Sequence, residues 1–345
     1  MLGGIEESVH AAEKAGGVTV RRYALAGTTV RFRFAGTALL DSLAPAFAHL
    51  EVGEDASEPA LTVAFWDSAS TAVAPPPRPP VPAQYAPGAL FHFEEPPLRA
   101  AYQPGLETLS VFRADVGLAW HWVADASMQP YWDRASPIRQ ILFWWLATRG
   151  YLQVHGAAVG RAEGGVLLVG PSGSGKSTSA LSTLGTDMLL AGDDYVAVTT
   201  RPEPRVQSLY NTGKLEPHHI NGLLPHLLSR LSNAEHLEVE KAVMYVQDHY
   251  PEQTTNGFPL KAVLMPKVCV GRRESRIVEA SRASAFASVA PSTIFQLHTA
   301  GSEALATMSR LVAQVPCYGL ELGSDIAGIP PTIAAFLDDL AGGGR

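Results

Sequence analysis

Cysteine is scarce in this 345-residue chain: Cys269 and Cys317 are the only two, and neither belongs to a C-x-x-C pair. That argues against a disulfide framework and a cysteine zinc site, and leaves two reduced thiols as the expectation. Long apolar runs are lacking too; none approaches the ~20 residues that cross a bilayer. The N-terminus, MLGGIEESVHAAEKAGG, is polar and acidic and lacks the basic-then-apolar layout of a secretory leader. A soluble, cytoplasmic protein without a membrane partner is the expectation. No run of Lys or Arg occurs, and 26 basic against 33 acidic residues give a net charge of −7, so a nucleic acid partner is not expected. Charged residues make up only 17% of the chain and hydrophobic ones 46%, which is the composition of a folded core rather than of disorder.

What is present falls into two halves, and no internal repeat joins them. Residues 1–135 read as a β-rich domain. TVRFRF (29–34) alternates, with Val30, Phe32 and Phe34 on one face and Arg31 and Arg33 on the other, as in a half-buried strand. Further strand candidates are 60–66, 90–94, 108–113 and 118–123. The stretch PPPRPPVPAQYAP (75–87) carries seven prolines; lacking the N–H a ladder needs, it reads as an extended surface connection. An exposed sheet edge in this half would suit an extended peptide. Residues 136–150 read as a connecting helix packed on the second domain, with Ser136 as N-cap, Pro137 at the first position and one apolar stripe.

From 151 to 345 strands and helices alternate in an α/β pattern. YLQVHGAAVG, GGVLLVG, DMLLAGDD, YVAVTT, 259–268 and 315–322 are strand candidates. KSTSALSTLG, 217–231, 291–298, 302–314 and 330–340 are helix candidates. Near the centre stands G-P-S-G-S-G-K-S-T (170–178), which fits the phosphate loop G-x-x-x-x-G-K-[ST] with a strand before it and a helix after it. Gly170, Gly173 and Gly175 permit the backbone angles that let the loop N–H groups, those of Ser172 and Ser174 included, converge on phosphate. Lys176 is placed to reach the β- and γ-phosphates, and the Ser177 hydroxyl to meet Mg²⁺. Thr178 adds a second hydroxyl. ATP and Mg²⁺ are the implied ligands.

Asp193 and Asp194 follow Lys176 by only 17 and 18 residues, room for one helix and one short strand. Alternation along a strand would point the two carboxylates to opposite faces. One would act as general base on a hydroxyl and the other at the metal, the two roles phosphoryl transfer needs. His155 precedes Lys176 by 21 residues, where it would bond a catalytic carboxylate or the phosphate in transfer. The chain has no L-S-G-G-Q segment, and the Asp pair comes too soon for a transport ATPase.

Residues 154–196, from VHGAAVG through the loop to GDDYV, resemble the catalytic core of the HPr kinase/phosphorylase family: a His-bearing strand, a phosphate loop and an Asp-Asp pair at these separations. The resemblance implies a P-loop kinase domain of the HPr kinase/phosphoenolpyruvate carboxykinase type, behind a β-rich N-terminal domain. It assigns phosphate and metal roles to Lys176 and Ser177, the catalytic base to Asp193, metal assistance to Asp194 and a supporting role to His155. Pro171 stands where the HPr-acting enzymes carry Asp, and NTGKLEPHH (211–219) replaces their acidic, Arg- and Gly-rich signature. Both departures argue against HPr as substrate. The layout is closer to the HPr-kinase-like proteins of lasso peptide biosynthesis, through the β-rich first half, the Trp-bearing helix and APSTIFQLH (290–298). That subgroup implies an ATP-dependent serine kinase acting on a peptide, with the C-terminal serine of a precursor peptide as acceptor. Alternatives are a kinase of free serine or of an HPr-like protein, or a non-catalytic nucleotide sensor. The family includes hexamers, so a homo-oligomer is compatible with it.

Lys214 and Glu216 lie within reach of the acceptor or nucleotide, and Lys241 is a weaker substrate candidate. Arg272, Arg273 and Arg276 read as a solvated turn. His218 and His219 lack a third ligand, so no metal is expected there.

Overall fold

A computed structural model describes residues 2–294 and 301–342. The chain divides into two compact units, Met1–Arg149 and Gly150–Arg345.

In the first unit seven strands form one sheet: β1 (Val18–Leu25), β2 (Thr28–Ala35), β3 (Leu61–Asp67), β4 (Phe91–Glu95), β5 (Leu98–Gln103), β6 (Thr108–Arg113) and β7 (Leu118–Val123). Their order is β1-β2-β3-β7-β6-β5-β4. β3 lies parallel to both β2 and β7, and the other pairs are antiparallel. The alternation in TVRFRF holds: Val30, Phe32 and Phe34 are buried while Arg31 and Arg33 are half-buried. Phe32 and Phe34 join Tyr23, Phe47 and Phe65 in one aromatic cluster. Another core cluster joins Ile5, Val9 and Ala12 of the helix Leu2–Gly16 to Trp66, Trp120 and Trp122. The proline-rich stretch forms no strand. Its Pro77 ring sits so close to Gly4 that a Cβ there would lie 2.6 Å away.

The helix expected from Ser136 starts later, at Arg139, and runs to Thr148. Ser136 is not its cap: a residue before proline is driven from helical angles, and Ile138 has φ 47°. The helix belongs to the first unit, where it packs near β6. All six residues from Ile141 to Leu146 are buried, so it is apolar all round rather than striped.

Buried histidines make this unit acid-sensitive. His121 is 5% exposed, with Nδ1 3.0 Å from Ser110 Oγ. Burial pushes its pKa down to about 4, and that of His49 down to about 3. An unfolded imidazole titrates near 6.5, so below that pH the unfolded chain binds protons that the folded one refuses. Stability therefore falls as pH drops from about 6.5 towards 4, by ~1.4 kcal/mol per pH unit for each such histidine. All six tryptophans lie in this unit, so urea melts followed by tryptophan emission at pH 7 and pH 5 measure it. The midpoint is expected to fall, and His121→Gln to flatten the slope.

The second unit is mixed α/β. Its strands are β8 (Leu152–His155), β9 (Ala157–Arg161), β10 (Gly164–Leu168), β11 (Leu189–Gly192), β12 (Tyr195–Thr199), β13 (Arg205–Ser208), β14 (Thr212–Leu215), β15 (Ala242–Tyr245), β16 (Gly257–Val268), β17 (Arg276–Glu279) and β18 (Cys317–Leu322). Nine of them make a sheet in the order β11-β9-β10-β16-β13-β12-β8, with β18 added to β16 and β17 to β18. β10, β16 and β18 run parallel to one another. β14 and β15 form a separate antiparallel pair. The expected single strand over 151–160 is broken at Gly156: β8 pairs with β12, whereas β9 pairs with β10 and β11.

The helix expected at 217–231 divides into Pro217–Leu223 and a tighter turn, Pro225–Arg230, because Pro225 has no N–H to continue it. Helices Arg282–Ile294, Gly301–Gln314 and Ile329–Ala341 complete the unit. Residues 295–298 of the helix expected at 291–298, and of APSTIFQLH, lie outside the described residues. Val159, Val166, Leu181, Leu190, Leu264 and Ile333 share one core cluster. Among the described residues, no helix is long and apolar enough to cross a membrane.

Candidate active site

β10 runs straight into the glycine-rich loop, and the loop into a helix, Lys176–Leu181, shorter than the ten-residue segment read from sequence. Gly175 adopts φ 104°, and a Cβ on it would lie 2.3 Å from the Leu322 side chain. Only glycine fits such an angle and such an approach. Lys176 is buried, and its Nζ donates to the carbonyls of Gly170 (2.8 Å) and Pro171 (3.1 Å). Burial lowers its pKa, against the pull of Asp193 and Asp194. Thr178 is buried and Ser172 exposed, while Ser174 Oγ is buried with no hydrogen-bond partner among the described residues.

The Asp pair diverges by a turn rather than by strand alternation. β11 ends at Gly192, Asp194 has φ 73°, and the Tyr195 N–H donates to the Asp193 carbonyl at 3.0 Å. An i→i+2 bond across a residue with positive φ is the rarer, strained γ-turn, the kind of backbone strain that collects at functional sites. The Gly156 N–H holds the Asp194 carbonyl at 3.0 Å, so the break between β8 and β9 is what fastens this turn.

The two carboxylates then meet different surroundings. Asp193 is 1% exposed; its Oδ2 accepts the Lys214 backbone N–H at 2.9 Å. Its Oδ1 is buried with no hydrogen-bond partner among the described residues. Burial raises its pKa, opposed by the Lys214 N–H and, more weakly, by the nearby Ser177 hydroxyl. Burial works in the same sense on Asp194, but the Lys214 ammonium and the His155 hydrogen bond outweigh it and hold that carboxyl far below the usual range. Asp194 Oδ1 lies 3.2 Å from His155 Nε2, and Oδ2 forms an ion pair with Lys214 Nζ. The His155 ring lies 5.3 Å from that of Tyr195, its partner across β8 and β12.

Lys214 reaches both aspartates because Gly213 precedes it. A Cβ on Gly213 would lie 2.6 Å from the Leu181 side chain, so glycine lets β14 press against the loop helix without displacing Leu181. The structure thus brings together Lys176, Ser177, His155, Asp193, Asp194 and Lys214. Glu216 and Lys241 pair with each other at 2.7 Å, with 43% and 40% of their side chains exposed, and the Lys241 charge is near enough to Lys176 to press its pKa down a little further. Sequence reasoning missed Gly156, Gly213 and Tyr195. The signal was available for the first, a glycine between two apolar segments, but it was read as the inside of one strand.

Among the described residues, no group of three or more His, Cys, Asp or Glu is placed to hold a metal ion. The oxygen donors at this site are one hydroxyl, Ser177, and two carboxylates. That set of hard oxygen donors fits Mg²⁺, which uses few protein ligands and keeps waters and phosphate oxygens. No protein-family model matches the chain, and no curated protein matches it.

Proposed function

We propose that the second unit transfers the γ-phosphoryl group of ATP to a serine hydroxyl of a peptide, the C-terminal serine of a lasso precursor peptide being the first candidate acceptor. The observation that carries this reading is the buried Asp193, with one oxygen fixed by the Lys214 N–H and the other unpartnered, beside the phosphate loop and a second carboxylate held ionised.

ATP places its phosphates in the loop, where Lys176 exchanges the carbonyls of Gly170 and Pro171 for phosphate oxygens. Ser177 and Asp194 would hold Mg²⁺, the roles that the resemblance to the HPr kinase core assigns them. Bound there, the ion offsets charge on the β- and γ-phosphates. Asp193 accepts the serine proton as the hydroxyl oxygen attacks the γ-phosphorus. The new P–O bond forms, the bond to the β-phosphate oxygen breaks, and ADP leaves with that electron pair. Lys214 and His155 fix the orientation of Asp194, and the Lys214 N–H fixes that of Asp193.

Calorimetric titration with MgATP tests the binding half. Lys176→Met is expected to weaken binding ~10–100-fold, the worth of a charge-assisted contact to phosphate. Mass spectrometry of serine-ended peptides incubated with MgATP tests the transfer half. Phosphoserine on free serine but on no peptide would shift the acceptor to a small molecule. ATP binding without phosphate on any acceptor would point to a nucleotide sensor.

A further inference from the structure

Three parallel strands, β10, β16 and β18, end on the same side of the sheet of the second unit. β10 leads into the phosphate loop, β16 into the loop Cys269–Ser275, and β18 into the turn Gly323–Asp325. Ligands of open α/β sheets bind outside such carboxyl ends.

The three connections are tied to one another. Gly175 of the phosphate loop backs onto Leu322 and Pro266, the ends of β18 and β16. The Cys269 N–H donates to the Leu322 carbonyl at 2.9 Å. The N–H groups of Ser324 and Asp325 donate to the carbonyls of Arg272 and Arg273 at 3.0 and 2.9 Å, and the Gly323 N–H donates to Ser275 Oγ at 3.1 Å. Cys269 to Glu274 line an open depression of about 570 Å³.

The arginines of this segment are not equivalent. Glu321 takes Arg276 at 2.7 Å and Arg272 at 3.4 Å. Arg273 is exposed, with no carboxylate partner among the described residues, and Val270 beside it is fully exposed. The Asp pair, between β11 and β12, is held by His155 and Lys214, neither of which belongs to the loop Cys269–Ser275. With the γ-phosphate at the Asp pair, the rest of the nucleotide extends elsewhere from the phosphate loop, and the loop Cys269–Ser275 is tied to that loop through Leu322.

We propose that the loop Cys269–Ser275 is the nucleoside subsite: the base and ribose of the bound nucleoside triphosphate lie in this depression, with the planar Arg273 guanidinium against the base and Val270 supplying apolar contact. This deepens the proposed ATP-dependent function and rests on it.

The test compares two probes, MgATP and Mg-tripolyphosphate, titrated into the full chain and its variants. Arg273→Ala is expected to weaken MgATP by about 3–30-fold, the range of a guanidinium on a π-face, and to leave tripolyphosphate within about twofold. Arg273→Lys keeps the charge and loses the plane, so it should recover less than half of the lost ATP affinity on a logarithmic scale. Equal losses for both probes would make Arg273 a phosphate contact and overturn the subsite. So would unchanged ATP affinity in Arg273→Ala, while the phosphate-loop reading would stand. Wild-type protein binding neither probe would remove both.

Discussion

Asp193→Asn is expected to lower the rate of phosphoryl transfer by about 10²–10⁴-fold, the usual worth of a positioned general base, while MgATP affinity changes little. The substitution is nearly isosteric. An amide carbonyl still accepts the Lys214 N–H that now holds Oδ2 at 2.9 Å, so the turn and the strand β14 beside it should keep their places. What disappears is the proton-accepting oxygen. Asp193 Oδ1 is buried and has no hydrogen-bond partner among the described residues, so it is the free end of the carboxylate. Single-turnover rates at saturating MgATP, with calorimetric affinity measured alongside, separate the two effects. Turnover at the wild-type rate would remove Asp193 from the base role and turn attention to Asp194.

Lys214→Met is expected to cost about 3–5 kcal/mol of stability, the penalty for breaking a buried ion pair from one side. The Asp194 and Lys214 side chains are 17% and 11% exposed, so water does little for the carboxylate that remains. The Lys214 N–H is untouched, and Asp193 keeps its bond. All six tryptophans lie in the other unit, so tryptophan emission will not report this loss. Hydrogen exchange along β9 and β12 will. Adding Asp194→Asn to Lys214→Met should restore most of the stability, because the buried charge that lost its ammonium is then gone, and leave activity low. A single variant with wild-type protection would show that the pair contributes nothing and that Lys214 acts only through its main chain.

Much of the second unit was legible because its chemistry is written in short range. The glycines of 170–175 demand a loop, and VLLV before it and KSTSAL after it supply the strand and helix. The 17-residue gap from Lys176 to Asp193 leaves little room for any other arrangement. What failed was whatever depends on a neighbour distant in sequence. Lys214 was read as a contact for the acceptor or nucleotide and not as the partner of the Asp pair, since nothing near it reveals that Gly213 lies against Leu181. The two aspartates were assigned to opposite faces of a strand, but a hydrogen bond over three residues decides their directions. In the first unit the helix Leu2–Gly16 went unnoticed although Ile5, Val9 and Ala12 recur at helical spacing; three small apolar side chains among charges make a weak stripe. β1 and β5 were missed for a related reason, as VTVRRYAL and LRAAYQ carry too little regular alternation to announce a strand.

Lys214 serves one aspartate with its main chain and the other with its side chain, and it stands on a two-stranded antiparallel pair separate from the main sheet. The position of β14 is therefore a single mechanical coordinate for both carboxylates. Drawing β14 away from the loop helix by little more than a hydrogen bond's length would free the Asp193 oxygen and take the ammonium from Asp194 in the same movement. One strand thus acts as a common clutch for two carboxylates.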